Sequence, residues 1–218
     1  ADVADNVNIG ENEIVFTIDF YESEHVYFVL SDVTPEKESL KNCLSYDTEL
    51  ESIYIRGNFR VYDDDLKTED DMIMLSDGNY YITAAGKTVN AENITKDGYL
   101  FFMGSMKLEK KVVIGKNNSR IKLTGRFTAA DVYVDGKFVK TALFENEVDL
   151  SGFADGKEHI LSLTLYSSNR NIYGPHHFKE YEPLSVSPWT FDLTGAWKSG
   201  YESDFYRENY SFVKFSLV

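Results

Sequence analysis

Alternating apolar and polar side chains constrain this chain more than any other feature of its sequence. In the segment Leu161–Tyr166 every second residue is a leucine, so a β-strand there presents one apolar face. The pair Asp135-Gly136 lies between two further alternating stretches, and both residues tolerate the positive φ angles of a type I′ turn. We therefore expect antiparallel strands joined by tight turns, with a core on one side.

Composition and charge narrow the classes of function. The 218 residues are 43% apolar and 15% aromatic, which favours a folded protein with a substantial core. The 36 acidic residues against 22 basic ones give a net charge of −14, which opposes binding to nucleic acid or to an anionic membrane surface. No stretch approaches the ~18 consecutive apolar residues of a membrane-spanning helix. Nucleic acid and membrane are therefore not expected partners.

A cluster of polar and aromatic groups follows the leucine strand. Loops after strand ends often carry recognition groups on a rigid scaffold, and the candidate ligand-binding residues here are Arg170, Asn171, Tyr173, His176 and His177. The forked donors of an arginine match vicinal hydroxyls, whereas the alternative is an arginine that pins the loop to backbone carbonyls. Two adjacent histidines in a strand point to opposite faces and cannot both bind one metal ion, so no metal site is assigned. Structural hydrogen bonding and contact with a sugar remain the alternatives for this pair.

Aromatic residues are concentrated near the C-terminus. The apolar faces of sugar rings stack on exposed aromatic side chains, and the hydroxyl edges take planar polar partners. A loop platform of this kind is a hypothesis for Trp189 and Trp197, together with Tyr173, Tyr181 and Tyr201. The alternative for each tryptophan is simple filling of a core.

Carboxylates offer a third kind of chemistry. A glycosidase needs two carboxyl groups about 5 to 10 Å apart, one of them held protonated by its surroundings. No segment is identifiable as the carrier of such an acid or nucleophile, and neither a Gly-x-Ser-x-Gly elbow nor a glycine-rich phosphate loop occurs. No catalytic residue is assigned, and a small glycoside hydrolase is kept as an alternative.

Three segments resemble the C-terminal β-sandwich region of large bacterial glycoside hydrolases. Ser168–His177 is similar to an S-x-R-N-x-x-G-P-H-H pattern, Tyr99–Gly104 to a G-Y-P-F-F-x-G entry strand, and Glu51–Phe59 to an E-x-x-Y-L-x-G-D-F segment. The resemblance implies an all-β fold, an antiparallel jelly-roll β-sandwich of the galactose-binding-like kind. It also implies a non-catalytic ancillary module whose partners are the catalytic domain of a parent enzyme and carbohydrate. A purely structural domain without a ligand is the alternative.

A sequence pattern that occurs twice indicates how the chain is divided into domains. Gly10–Tyr21 repeats the order of turn glycine, polar tip and alternating strand found in Gly156–Tyr166. We expect residues 1–95 to form an N-terminal β segment, either the tail of a first sandwich or added strands, and residues 96–218 to form the jelly roll. The chain is then a piece of a longer polypeptide, and the region upstream would set its compartment.

Four local features complete the expectations. Thr34-Pro35 and the acidic residues after them predict one short helix near residues 35–44. The lone Cys43 is expected to be a small buried apolar residue, because nothing nearby activates its thiol. The acidic run Asp63–Asp71 lacks the glycine and closing glutamate of a calcium loop, so a solvated turn is favoured over structural calcium and no cofactor is expected. Residues Tyr210–Leu217 predict a terminal strand.

Overall fold

The computed structural model of the protein describes residues 2–31, 34–49, 52–174, 176–177 and 206–218. The chain divides into two compact units, Ala1–Arg56 and Gly57–Val218. The expected boundary after residue 95 stays a prediction.

The first unit contains two short helices. Helix α1 covers Glu24–Ser31 and helix α2 covers Pro35–Asn42, after a 3₁₀ turn at Ala4–Asn6. The predicted helix near residues 35–44 is confirmed, with Pro35 in its first turn. Helix α1 was not predicted; its buried side chains, Val26 and Val29, are three residues apart and so lie on one face.

Two expectations for this unit are wrong. Gly10–Tyr21 belongs to no strand among the described residues, although its sequence alternates apolar and polar residues, and all of its residues are exposed. A strand forms only where a neighbouring backbone completes its hydrogen bonds, and here the amide of Tyr21 instead donates to the Thr48 hydroxyl at 3.0 Å. Cys43 follows helix α2 as its C-cap and is exposed rather than buried.

The second unit is built mostly from short strands. Helix α3 covers Arg170–Tyr173, and 3₁₀ turns cover Ala91–Asn93 and Ser151–Phe153. The strands are β1 Phe59–Tyr62, β2 Lys67–Thr68, β3 Ile73–Ser76, β4 Tyr81–Ala84, β5 Ser105–Val113, β6 Arg120–Lys122, β7 Gly125–Arg126, β8 Ala129–Val134, β9 Lys137–Ala142, β10 Glu147–Asp149, β11 Glu158–Tyr166, β12 Tyr210–Val213 and β13 Ser216–Leu217.

The largest sheet has the order β5-β11-β8-β9, and all of its neighbouring strands are antiparallel. Strands β8 and β9 form the predicted hairpin, with Asp135 at φ 50° and Gly136 at φ 77°. Both angles are positive, as a type I′ turn requires, so this turn prediction is confirmed. The long leucine strand is β11, which lies in the middle of the sheet between β5 and β8.

The core lies on one face of this sheet. Along β8, every second residue is buried, namely Ala130, Val132 and Val134. Leu165 of β11 is also fully buried, and complete burial of such a side chain stabilises the fold by about 1.5–3 kcal/mol. The buried cluster extends to Ile94, Ile114, Leu123, Ala142, Val148, Leu150, Leu163 and Phe215.

Smaller sheets bring distant parts of the chain together. Strand β12 pairs with β3 and β13 pairs with β7, so the predicted C-terminal strand is confirmed as two short pieces. The acidic run before β3 is solvated only in part, because Asp63 is buried and accepts hydrogen bonds from the Ser76 hydroxyl and the Asp65 amide. A buried carboxylate needs such partners to offset its loss of hydration.

The described residues thus form several antiparallel sheets with few helices, which fits the all-β class. Within the same residues, we find no helix with the length and apolar character needed to cross a membrane.

Candidate functional site

The predicted polar cluster begins four residues after the end of β11, in helix α3. The chain turns there because Asn169 precedes the helix and Gly174 ends it at φ 81°. A Cβ at Gly174 would lie 2.7 Å from the amide nitrogen of His176, so the tight turn requires glycine. Arg170, Asn171 and Tyr173 therefore share one helical turn, and the two histidines follow it directly.

Arg170 and Asn171 both bind strand β12. The Arg170 guanidinium donates to the Ser211 carbonyl at 3.2 Å and to the Ser211 hydroxyl at 2.9 Å. The Asn171 amide nitrogen donates to the Val213 carbonyl at 2.8 Å, and its oxygen accepts from the Val213 amide at 2.8 Å. Asn171 is buried, with 4% of its surface exposed.

These contacts cover a sheet edge. In the sheet β12-β3-β2, strand β12 is an outer strand, so the backbone groups of Ser211 and Val213 that face away from β3 need partners elsewhere. Besides Arg170 and Asn171, the His176 carbonyl accepts from the Ser211 amide at 2.6 Å. Arg170, Asn171 and His176 thus cap this edge, and the contact of Arg170 with the Ser211 carbonyl is of the kind that the loop-pinning alternative described.

The two histidines lie in a turn and not in a strand. His176 and His177 both contact the Tyr210 ring, at centroid distances of 6.1 and 4.4 Å. The opposite-face argument assumed a strand, and it does not apply to this turn. Burial among the rings of Phe101 and Phe212 lowers the pKa of His176.

The remaining candidate residues divide into two groups. Tyr173 is 60% exposed at the end of helix α3. Trp189 and Trp197, with Tyr181 and Tyr201, lie outside the described residues. A ligand-binding role for the predicted residues stays a prediction.

A cleft of about 290 Å³ opens beside the start of helix α3. It is formed by the chain around β7, the segment after β11 and the segment after β12, which are far apart in sequence. Its lining consists of Met72, Phe102, Gly125, Arg126, Phe127, Thr128, Ser167, Ser168, Asn171, Val213, Lys214 and Phe215.

The lining combines apolar rings with hydroxyl, amide and cationic groups. Phe102 and Phe127 are half-buried, whereas Thr128 and Ser168 are exposed. The Phe102 ring is held by stacking on Phe215, with centroids 5.7 Å apart and planes inclined by 13°. A small polar molecule with an apolar face would find both kinds of contact here.

One position in the cleft lining requires glycine. Gly125 has φ 136°, and a Cβ there would clash with the Ser216 carbonyl oxygen. The close pairing of β7 with β13 depends on this absent side chain, and it places Arg126 opposite Ser216.

Sequence reasoning identified only part of this lining. Asn171 and Ser168 belong to the segment that carries the resemblance, and Phe102 belongs to a second such segment. Arg126, Phe127 and Lys214 were missed, because no local signal links these positions until β13 pairs with β7. Among the described residues, no group of three or more His, Cys, Asp or Glu side chains is arranged to hold a metal ion.

Comparison with known proteins identifies no family for this chain. No protein-family model matches the chain, and no curated protein matches it. Among solved structures, it is similar to a β-D-glucuronidase from Dictyoglomus thermophilum at 18% sequence identity and a TM-score of 0.28. The match covers 75% of this chain and 29% of the glucuronidase chain, so the chain spans less than a third of that structure.

Proposed function

We propose that this chain is a non-catalytic ancillary module of a carbohydrate-active enzyme, which packs on the catalytic domain and binds glycan in the cleft. The observation that carries the proposal is the cleft itself, whose lining combines apolar rings with hydroxyl and amide groups. The sequence resemblance to the C-terminal region of bacterial glycoside hydrolases supplies the enzyme class.

Two of the segments that carry the resemblance are in contact. The Phe101 ring lies against the His176 ring at 5.9 Å, and Phe102 and Asn171 line the same cleft. Within the proposal, the fold is a jelly-roll sandwich of the galactose-binding-like kind. The non-sequential order β5-β11-β8-β9 supports it, because such sandwiches need crossovers between their sheets.

The proposal is for binding and not for hydrolysis. Glycoside hydrolysis needs a carboxyl group whose pKa is raised, facing a second carboxylate. Among the described residues, no Asp or Glu lines the cleft. Hydrogen bonds instead lower the pKa of Glu109, Asp135, Asp149 and Asp155, which keeps these groups ionised.

A blocking substitution tests the binding site. Thr128 is exposed at the cleft, so Thr128→Trp would fill the opening without removing a core contact. We expect the unaltered protein to bind members of a glycan array and Thr128→Trp to lose that binding. Thr68→Trp, at an exposed position of β2 outside the cleft, is the matched control and should bind as before. Equal binding by both variants would place the glycan elsewhere.

A structural domain without ligand is the second candidate. It is favoured by the way Arg170 and Asn171 are engaged with β12. Absence of binding to every glycan on the array would select it over the first proposal.

A further inference from the structure

Two cationic side chains line the cleft from neighbouring segments. Arg126 lies in β7 opposite Ser216, and Lys214 precedes Ser216 by two residues. Both side chains line the same cleft, so the pairing of β7 with β13 brings two cationic residues to one concave surface.

Neither of these two cations is paired with a carboxylate in the described part of the chain; exposed cations outside the cleft, such as Lys137, are unpaired as well. Several other cations of the second unit are paired, as in Lys67 with Asp77, Lys111 with Glu158, and Lys140 with Glu145. In the part of the chain that the structure describes, neither Arg126 nor Lys214 has a carboxylate within 4.0 Å, and no acidic residue lines the cleft. This is notable in a protein with a net charge of −14.

We propose that the cleft binds an acidic sugar, a unit that carries a carboxylate or a sulfate group. This inference rests on the proposed glycan-binding function and adds the charge of the ligand. The Arg126 guanidinium offers forked donors that match the two oxygens of a carboxylate or sulfate, and Lys214 adds a compact positive charge. Ser167 and Ser168 also line the cleft, and the Ser167 hydroxyl, which donates to the Gly104 carbonyl, can still accept a hydrogen bond from a sugar hydroxyl.

The size of the cleft fits a short ligand. Its volume of about 290 Å³ is just below the range of about 300–1,000 Å³ usual for small-molecule sites. Phe127 and Phe102 provide apolar surface for a ring face beside the charged end. One sugar unit therefore accounts for the lining, and its anionic group is directed at the two cations.

Matched pairs of neutral and acidic sugars test this. Galactose with galacturonate, and glucose with glucuronate, differ only in the carboxylate, and galactose 6-sulfate tests the other anion. In titrations followed by NMR, we expect the acidic member of at least one pair, or the sulfated sugar, to bind at least roughly tenfold more tightly than its neutral counterpart. The relative affinities of the carboxylate and sulfate sugars identify which anion the cleft prefers.

Removal of the two positive charges tests whether Arg126 and Lys214 cause the preference for acidic sugars. The double variant Arg126→Gln with Lys214→Gln should lose the preference for the acidic sugar, so that it binds the acidic and the neutral member of a pair with similar affinity. Lys137→Gln, at an exposed hairpin position outside the cleft, should keep the preference.

The outcomes separate the two proposals. Binding of neutral sugars with no preference for acidic ones, or a preference that survives the double variant, would overturn the acidic-sugar inference and leave glycan binding intact. Binding of inorganic sulfate as tightly as the sulfated sugar would overturn it too, because the site would then recognise simple anions. If no sugar binds, both proposals fail.

Discussion

Replacement of Asn171 by alanine tests whether this side chain holds the edge of strand β12. In the structure its amide group makes two hydrogen bonds of 2.8 Å with the backbone of Val213. The alanine variant leaves the Val213 amide without the Asn171 oxygen. The Val213 carbonyl keeps a second donor, the Thr95 hydroxyl at 3.2 Å.

The expected cost follows from these contacts. A buried amide that loses its acceptor costs about 1–3 kcal/mol, and loss of the second, partly replaceable bond costs about 0.5–1.5 kcal/mol. Because Val213 is half-buried, water recovers part of this. We therefore expect Asn171→Ala to lower the free energy of unfolding by about 1–3 kcal/mol.

Urea unfolding followed by circular dichroism measures this change, through the midpoint and the slope of the transition. Asn118→Ala is a matched control, because the Asn118 amide also binds two backbone groups, at Gly115 and Val113, but is exposed. Water can replace those bonds, so the control should lose less than about 1 kcal/mol. Equal losses in the two variants would refute the reasoning, as would unchanged hydrogen exchange at the Val213 amide in Asn171→Ala.

Two further predictions concern turns of the second unit. His159 lies between two carboxylates, with ring nitrogens 2.6 Å from Asp135 and 3.0 Å from Asp155. These bonds raise the pKa of His159 above its ordinary value, and the bond from His159 lowers the pKa of Asp135. The pKa of Asp155 is lowered first by the hydrogen bond from the Lys157 amide and then by the bond from His159. The doubly protonated imidazole of His159 donates to both carboxylates. The stabilisation of the folded protein by this pairing is fully present below the unfolded pKa of about 6.5, and it is lost as the pH rises through the higher pKa of His159 in the folded protein. Thermal unfolding should therefore show that His159→Gln destabilises the protein more at about pH 5.5 than at about pH 9. Gly125→Ala should destabilise the protein by about 1–3 kcal/mol in urea unfolding, because the new Cβ would meet the Ser216 carbonyl and the backbone is at positive φ.

Controls for these two predictions come from the same unit. A difference between wild type and His159→Gln that is constant with pH would contradict the proposed pairing. Gly152→Ala adds a Cβ with no atom within 4 Å and should leave stability nearly unchanged. A loss as large as that of Gly125→Ala would show that the crowding at Ser216 is not the cause.

Local sequence features predicted the structure correctly where neighbouring residues determine it. The turn at Asp135-Gly136 formed as predicted, because its φ angles depend on the two residues themselves. The helix at Pro35–Asn42 and the strand Glu158–Tyr166 also follow from local preferences and side-chain periodicity. The same kind of pattern failed at Gly10–Tyr21, since alternation does not supply the backbone partner that a strand needs.

The candidate site was predictable only in part. The Ser168–His177 segment drew attention to Arg170 and Asn171, but their hydrogen bonds to β12 could not be foreseen from a sequence separation of about forty residues. No sequence pattern identified Arg126 or Lys214 as residues of the candidate site. Their proximity depends on the pairing of β7 with β13.

By itself, then, the sequence determined the antiparallel character of the second unit, its main hairpin and its net negative charge, because these depend on residue type and local order. Only the tertiary structure decided which backbone edges needed capping and which side chains meet in the cleft. The physical reason is that buried backbone groups must find partners wherever the fold places them. Here the Asn171 amide covers the edge of β12, and the closing of β7 on β13 leaves two cations beside a cleft without an acidic lining residue in the described part of the chain.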